Sequence, residues 1–110
     1  MSGERTDSGV DECPPAPKPD GAHARNLLIV NRKGLHARAS AKFVQTVERF
    51  DSDVTVTRCG ETVGGRSIMG LLTLAAAQGT TITVTAQGED AQPCLDAVSD
   101  LVASRFGEDE

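Results

Sequence analysis

Two spacings of apolar residues divide this chain. Residues 27–30 (Leu-Leu-Ile-Val) form a short unbroken apolar run that fits a buried strand, and Gly34 then breaks the chain direction. From there Ala37, Ala41, Val44 and Val47 recur at helical spacing, and Phe43 and Phe50 widen the stripe. Residues 53–58 alternate, with Val54 and Val56 on one side and Thr55 and Thr57 on the other. Cys59-Gly60 then reads as a tight turn into a second strand over residues 61–64. A shorter helix is expected over residues 67–77, stopped by Gln78-Gly79. Residues 80–86 alternate again through Ile82, Val84 and Ala86. Gly88-Glu89-Asp90 opens a last helix that tolerates Pro93 in its first turn and buries Leu95, Val98, Val102 and Phe106.

The element order is therefore β-α-β-β-α-β-α. Cleanly alternating strands have one solvated face, so the expected fold class is α/β in the α+β sense. It is an open-faced sandwich, a four-stranded and mainly antiparallel sheet with three helices on one side. The threonines of the other side (Thr55, Thr57, Thr81, Thr83 and Thr85) then read as solvated strand surface.

Length and composition narrow this picture. A chain of 110 residues is one domain, with a modest aliphatic core in residues 26–106 and a short acidic tail at 107–110. Residues 1–25 include Cys13-Pro14-Pro15-Ala16-Pro17-Lys18-Pro19 and have too few apolar positions to fold alone. They read as a disordered extension, with His23 a bystander in it. Three phenylalanines are the only aromatics besides two histidines, and the net charge is −5, which together argue against a nucleic-acid partner. No apolar run approaches the ~20 residues of a membrane span, and the N-terminus lacks an export pattern, so a cytoplasmic chain is expected. Cys13, Cys59 and Cys94 are odd in number and widely spaced. Free thiols are the expectation, with Cys59 able to cross-link on oxidation, and neither a metal site nor a cofactor is expected.

The chemistry concentrates at Lys33-Gly34-Leu35-His36-Ala37-Arg38-Ala39-Ser40. This stretch sets a histidine between a glycine turn and a helix N-terminus, where unpaired amides and the helix dipole favour an anion. His36 supplies a nucleophile and Arg38 a cation. A second motif, Gly65-Arg66-Ser67-Ile68-Met69-Gly70, opens the middle helix, and Ser67 there is a natural N-cap. That helix carries more apolar residues than one buried stripe requires, so some of Ile68, Met69, Leu71, Leu72 and Leu74 are expected to be exposed.

These two motifs, with Gln78-Gly79-Thr80 and Gln87-Gly88-Glu89-Asp90, resemble the HPr family of histidine-containing phosphocarriers of the bacterial phosphoenolpyruvate-dependent phosphotransferase system. The resemblance covers residues 26–106. It implies that His36 takes a phosphoryl group through Nδ1 from phospho-enzyme I and passes it to an enzyme IIA component, with Arg38 offsetting charge. The chain is then a stoichiometric carrier and not an enzyme. The resemblance also implies that Ser67 is a regulatory site for an HPr kinase/phosphorylase. Partners are expected to dock on an apolar patch beside the histidine, for which Leu35, Ile68, Met69 and Leu72 are the candidates. Leu71 and Leu74 are assigned to the core, and a monomer is expected. Ala39 stands where many members have proline, and Lys33 where asparagine is frequent. The variant Ala37-Arg38-Ala39-Ser40 resembles forms from proteobacterial systems that serve regulation rather than sugar uptake. An alternative from another class is a regulatory module controlled by Ser67 phosphorylation, and a small-molecule enzyme using His36 as a base finds no second acid or nucleophile nearby.

Overall fold

The alternating segments pair as their patterns require. Val54 and Val56 of one strand and Ile82, Val84 and Ala86 of another all turn inward, each buried at 5% exposure or less. The structure is a computed structural model that describes residues 13, 14 and 16–109. Its elements are β1 (His23–Leu28), α1 (Ala37–Val47), β2 (Asp53–Arg58), β3 (Glu61–Gly64), α2 (Ile68–Thr73), β4 (Thr81–Gln87) and α3 (Ala91–Ala103), followed by a 3-10 turn (Arg105–Gly107). The four strands lie in the order β1-β4-β2-β3, every neighbouring pair antiparallel. This is the expected element order.

The core lies between the sheet and the helices. Phe43, Val44 and Val47 of α1, Leu71 of α2 and Cys94, Leu95, Val98 and Val102 of α3 meet the inward valines and isoleucine of the strands. Burying such a side chain contributes about 1.5–3 kcal/mol, so this shared layer is the main source of stability.

Several expectations are corrected. The first strand opens at His23, four residues before the apolar run, because residues 23–28 pair with β4 from Ala86 to Thr81. His23 to Asn26 are therefore strand residues, and His23 faces Gln92 of α3 at 3.1 Å. The expected disordered extension otherwise falls mainly on residues 1–12, which lie outside the described residues. Two of the three cysteines are not free: Cys13 and Cys59 form a disulfide that ties the N-terminal segment to the β2–β3 turn, while Cys94 is a buried free thiol.

The middle helix is shorter than its apolar pattern. It ends at Thr73 with Leu74 as C-cap, and Ala75 takes the left-handed conformation (φ 51°) expected of the glycine at 79. The chain must leave the helix there because Ala76 is needed as a partner for the loop before α1. The last helix likewise stops at Ala103, and Phe106 reaches the core from the 3-10 turn instead.

The threonine face is only partly solvated. Thr57 and Thr85 are buried at 4% and 3%. Cross-strand hydroxyl contacts, Thr55 with Thr85 and Thr57 with Thr62 at 2.8 Å, satisfy their polar atoms. Cys13, Pro14 and Ala16 share with Thr57, Thr81 and Thr83 the walls of a cleft on this side.

Candidate phosphoryl-acceptor site

The loop between β1 and α1 is stitched to the turn before β4. Ile29 donates to the Thr80 carbonyl at 2.9 Å, Gly79 donates to the Ile29 carbonyl at 2.8 Å, and Leu35 donates to the Ala76 carbonyl at 2.9 Å. Gly34, at φ +69°, makes the turn that brings Leu35 inward and leaves the next residue at the head of α1. Leu35 is consequently core, at 4% exposure, and not part of an exposed docking patch.

His36 is the N-cap of α1, with extended backbone (φ −80°, ψ −175°). Its Nδ1 accepts from the backbone N–H of Arg38 at 3.2 Å, the capping role usually taken by a serine or aspartate oxygen. Its Nε2 lies 2.5 Å from Oε2 of Glu108. An ionised carboxylate can only accept and a backbone amide can only donate, so the two contacts agree on one tautomer. The proton is on Nε2 and the lone pair is on Nδ1, aimed at the start of the helix.

Glu108 is itself held. Its Oε1 accepts from Nδ2 of Asn31 at 3.1 Å, and the same Nδ2 donates to the Gly34 carbonyl at 2.8 Å. Asn31 is fully buried, and its Oδ1 has no hydrogen-bond partner among the described residues. Burial works to raise the Glu108 carboxyl, but the hydrogen bonds from His36 and Asn31 and the nearby charge of Lys33 overcome it, leaving the group below its ordinary value of 4.5.

Around this pair is an open depression of about 500 Å³ walled by Arg32, Lys33, His36, Ala37, Arg38, Glu108 and Asp109. Three cations thus face it beside the helix N-terminus, and His36 keeps 27% of its side chain exposed. Ala39, where a proline is frequent in the family, is fully buried in the first turn of α1.

Of the residues expected at the site, the structure brings His36 and Arg38 together, with Lys33 beside them. Ser67 does not wall the depression. It caps α2, its Oγ accepting from the Gly70 amide at 2.9 Å, and is exposed. Arg66 fixes the approach to that cap by donating to the carbonyls of Ser52 at 2.9 Å and Phe50 at 3.1 Å. On α2, Ile68 and Met69 are exposed at 39% and 71% and Leu72 is half-buried, whereas Leu71 and Leu74 are core as expected. Sequence reasoning missed Asn31 and Glu108. A polar residue ending an apolar run is a faint sign for Asn31, but no periodicity or motif connects position 108 to position 36.

This arrangement can be set beside known proteins. Residues 23–104 match the family described as the PTS HPr component phosphorylation site. The phosphocarrier protein HPr of Xylella fastidiosa (strain 9a5c) is 48% identical over 83 residues, spanning 76% of this chain and 93% of the relative. That of Neisseria meningitidis serogroup B (strain ATCC BAA-335 / MC58) is 48% identical over 86 residues, spanning 78% and 97%. The crystal structure of HPr-C-His from Thermoanaerobacter tengcongensis superposes with a TM-score of 0.77 at 38% identity, covering 80% of this chain and 99% of that one. The matched span contains the glycine turn, the capping histidine and the serine-capped middle helix together, and the chain belongs to the HPr family of phosphocarrier proteins of the phosphotransferase system.

Proposed function

We propose that His36 is the phosphoryl acceptor, charged by phospho-enzyme I and discharged to an enzyme IIA component. The observation that carries this reading is the direction of Nδ1, whose lone pair points at the amide end of α1 inside a depression lined by Arg32, Lys33 and Arg38. Nδ1 attacks phosphorus while the bond from phosphorus to the donor breaks, its electron pair staying with the donor. The phosphoryl oxygens then take the place of Nδ1 as acceptors for the Arg38 amide. The side chain of Arg38 offsets their charge without forming a covalent bond. Transfer onward is the same exchange in reverse with a new acceptor.

Incubation of the protein with enzyme I and phosphoenolpyruvate tests this directly. One acid-labile phosphate is expected, absent in His36→Ala and retained in Ser67→Ala, and a wild-type protein that takes up none overturns the assignment.

A second layer of the reading concerns α2. Ser67 is exposed at a helix start, and a phosphate there adds about −1.5 to −2 charges where the helix tolerates them. Modification by an HPr kinase/phosphorylase weakens exchange with enzyme I by charge and leaves the fold intact. Ile68 and Met69, with Leu72 beside them, form the apolar docking patch for partners, and the chain works as a cytoplasmic monomer.

A further inference from the structure

Residues 105–108 are held more firmly than an acidic tail needs to be. Arg105, Phe106 and Gly107 have φ of 61°, 55° and 77°, three successive left-handed residues of which two carry side chains. The turn persists because Phe106 is fully buried and its carbonyl accepts from Nζ of Lys42 at 2.6 Å. Its effect is to set the Glu108 carboxylate between Nδ2 of Asn31 and Nε2 of His36.

From this geometry we infer that Glu108 is a positioning residue for phosphoryl transfer, holding the proton on Nε2 of His36 so that Nδ1 attacks and later departs with the ring still protonated at Nε2. The inference rests on His36 being the acceptor. When Nδ1 bonds to phosphorus, the ring keeps its Nε2 proton and becomes cationic, and the carboxylate 2.5 Å away stabilises that cation. On discharge the bond from Nδ1 to phosphorus breaks, the pair returns to Nδ1, and the leaving group is neutral imidazole. Without the carboxylate the phosphorylated ring loses its Nε2 proton at lower pH, and the leaving group becomes imidazolate, a far poorer one. The other charged groups facing the ring are Arg32, Lys33 and Arg38, which act on the phosphoryl oxygens, and Asp109, which lines the same depression. Asn31 acts through Glu108 by fixing its other oxygen.

The test uses full-length, nitrogen-15-labelled protein as wild type, Glu108→Ala and Glu108→Gln. The wild type is expected to show a His36 Nε2–H resonance that exchanges slowly with water. In Glu108→Ala that exchange is about tenfold faster, the factor one hydrogen bond contributes net, while backbone amide spectra stay superimposable. Unchanged exchange in Glu108→Ala overturns the role. Glu108→Gln keeps a neutral acceptor of the same shape and serves if the alanine variant does not fold. Its phosphorylated form is expected to lose the alkaline limb of phosphoryl release about one pH unit below wild type, and an unshifted limb overturns the role. A wild type that accepts no phosphate overturns the acceptor assignment itself, whereas the exchange of Nε2–H still decides what Glu108 does.

Discussion

The carbonyl oxygen of Ala76 lies 2.5 Å from the point where a β-carbon on Gly34 would sit, and it accepts the N–H of Leu35 at 2.9 Å. One backbone contact therefore both requires glycine at 34 and aims His36 out of the fold. Gly34→Ala places a methyl against backbone that cannot move without breaking the Leu35 bond, at a φ of +69° that alanine disfavours. A loss of about 2 kcal/mol or more in urea unfolding is expected. Phosphoryl uptake at His36 should fall further than the unfolded fraction explains, because the loop that orients the ring is displaced.

Ser67 has a structural duty independent of any modification. Ser67→Ala removes the acceptor for the Gly70 amide and should cost about 1 kcal/mol by thermal or chemical unfolding, with His36 phosphorylation unaffected in rate when assayed well below the melting temperature. Ser67→Asp keeps a capping oxygen and should hold wild-type stability while slowing uptake from enzyme I.

The Glu108 carboxyl gives the fold an acid-sensitive contact. Its value in the folded protein is lowered and its unfolded value is near 4.5. The stability it contributes is therefore fully present above about pH 4.5 and is lost as pH falls through the lower folded value. Unfolding free energies measured from pH 7 to 3 should fall less steeply below 4.5 in Glu108→Gln than in wild type, the two curves converging at the acid end.

The disulfide between Cys13 and Cys59 closes a loop across 46 positions of sequence. Cys13→Ser is expected to destabilise the oxidised protein by about 2–4 kcal/mol, and reduction of the wild type should reproduce that loss. Equal melting temperatures with and without reductant would contradict it. Cys94 is buried, and burial pushes its thiol above the usual range, so it should react with thiol reagents only on unfolding.

Much of the molecule could be read along the chain because its signals are local. A period of two at Val54 and Val56 and at Ile82, Val84 and Ala86 specifies strands with one buried face, and the spacing of Ala37, Val44 and Val47 specifies a helix. A glycine before a capping histidine, and a serine before an apolar turn, locate both helix starts within one residue. Apolar spacing misjudged the end of α2, since Ala75 leaves the helix to satisfy Ala76 and Leu35, a demand that arises only once the β1–α1 loop packs there. The same packing draws Leu35, a docking candidate on the family resemblance, into the core.

The sequence by itself thus determined the element order, the inward faces and the position of His36 at a helix start, because each depends on neighbours within a few residues. Only the tertiary structure decided which nitrogen of His36 carries the proton. That choice depends on Asn31 and Glu108, separated by 77 positions and joined through a left-handed turn that Phe106 anchors in the core. Hydrogen bonds of this kind leave no periodic trace, since a carboxylate 72 positions from the ring can meet it only after the core has formed.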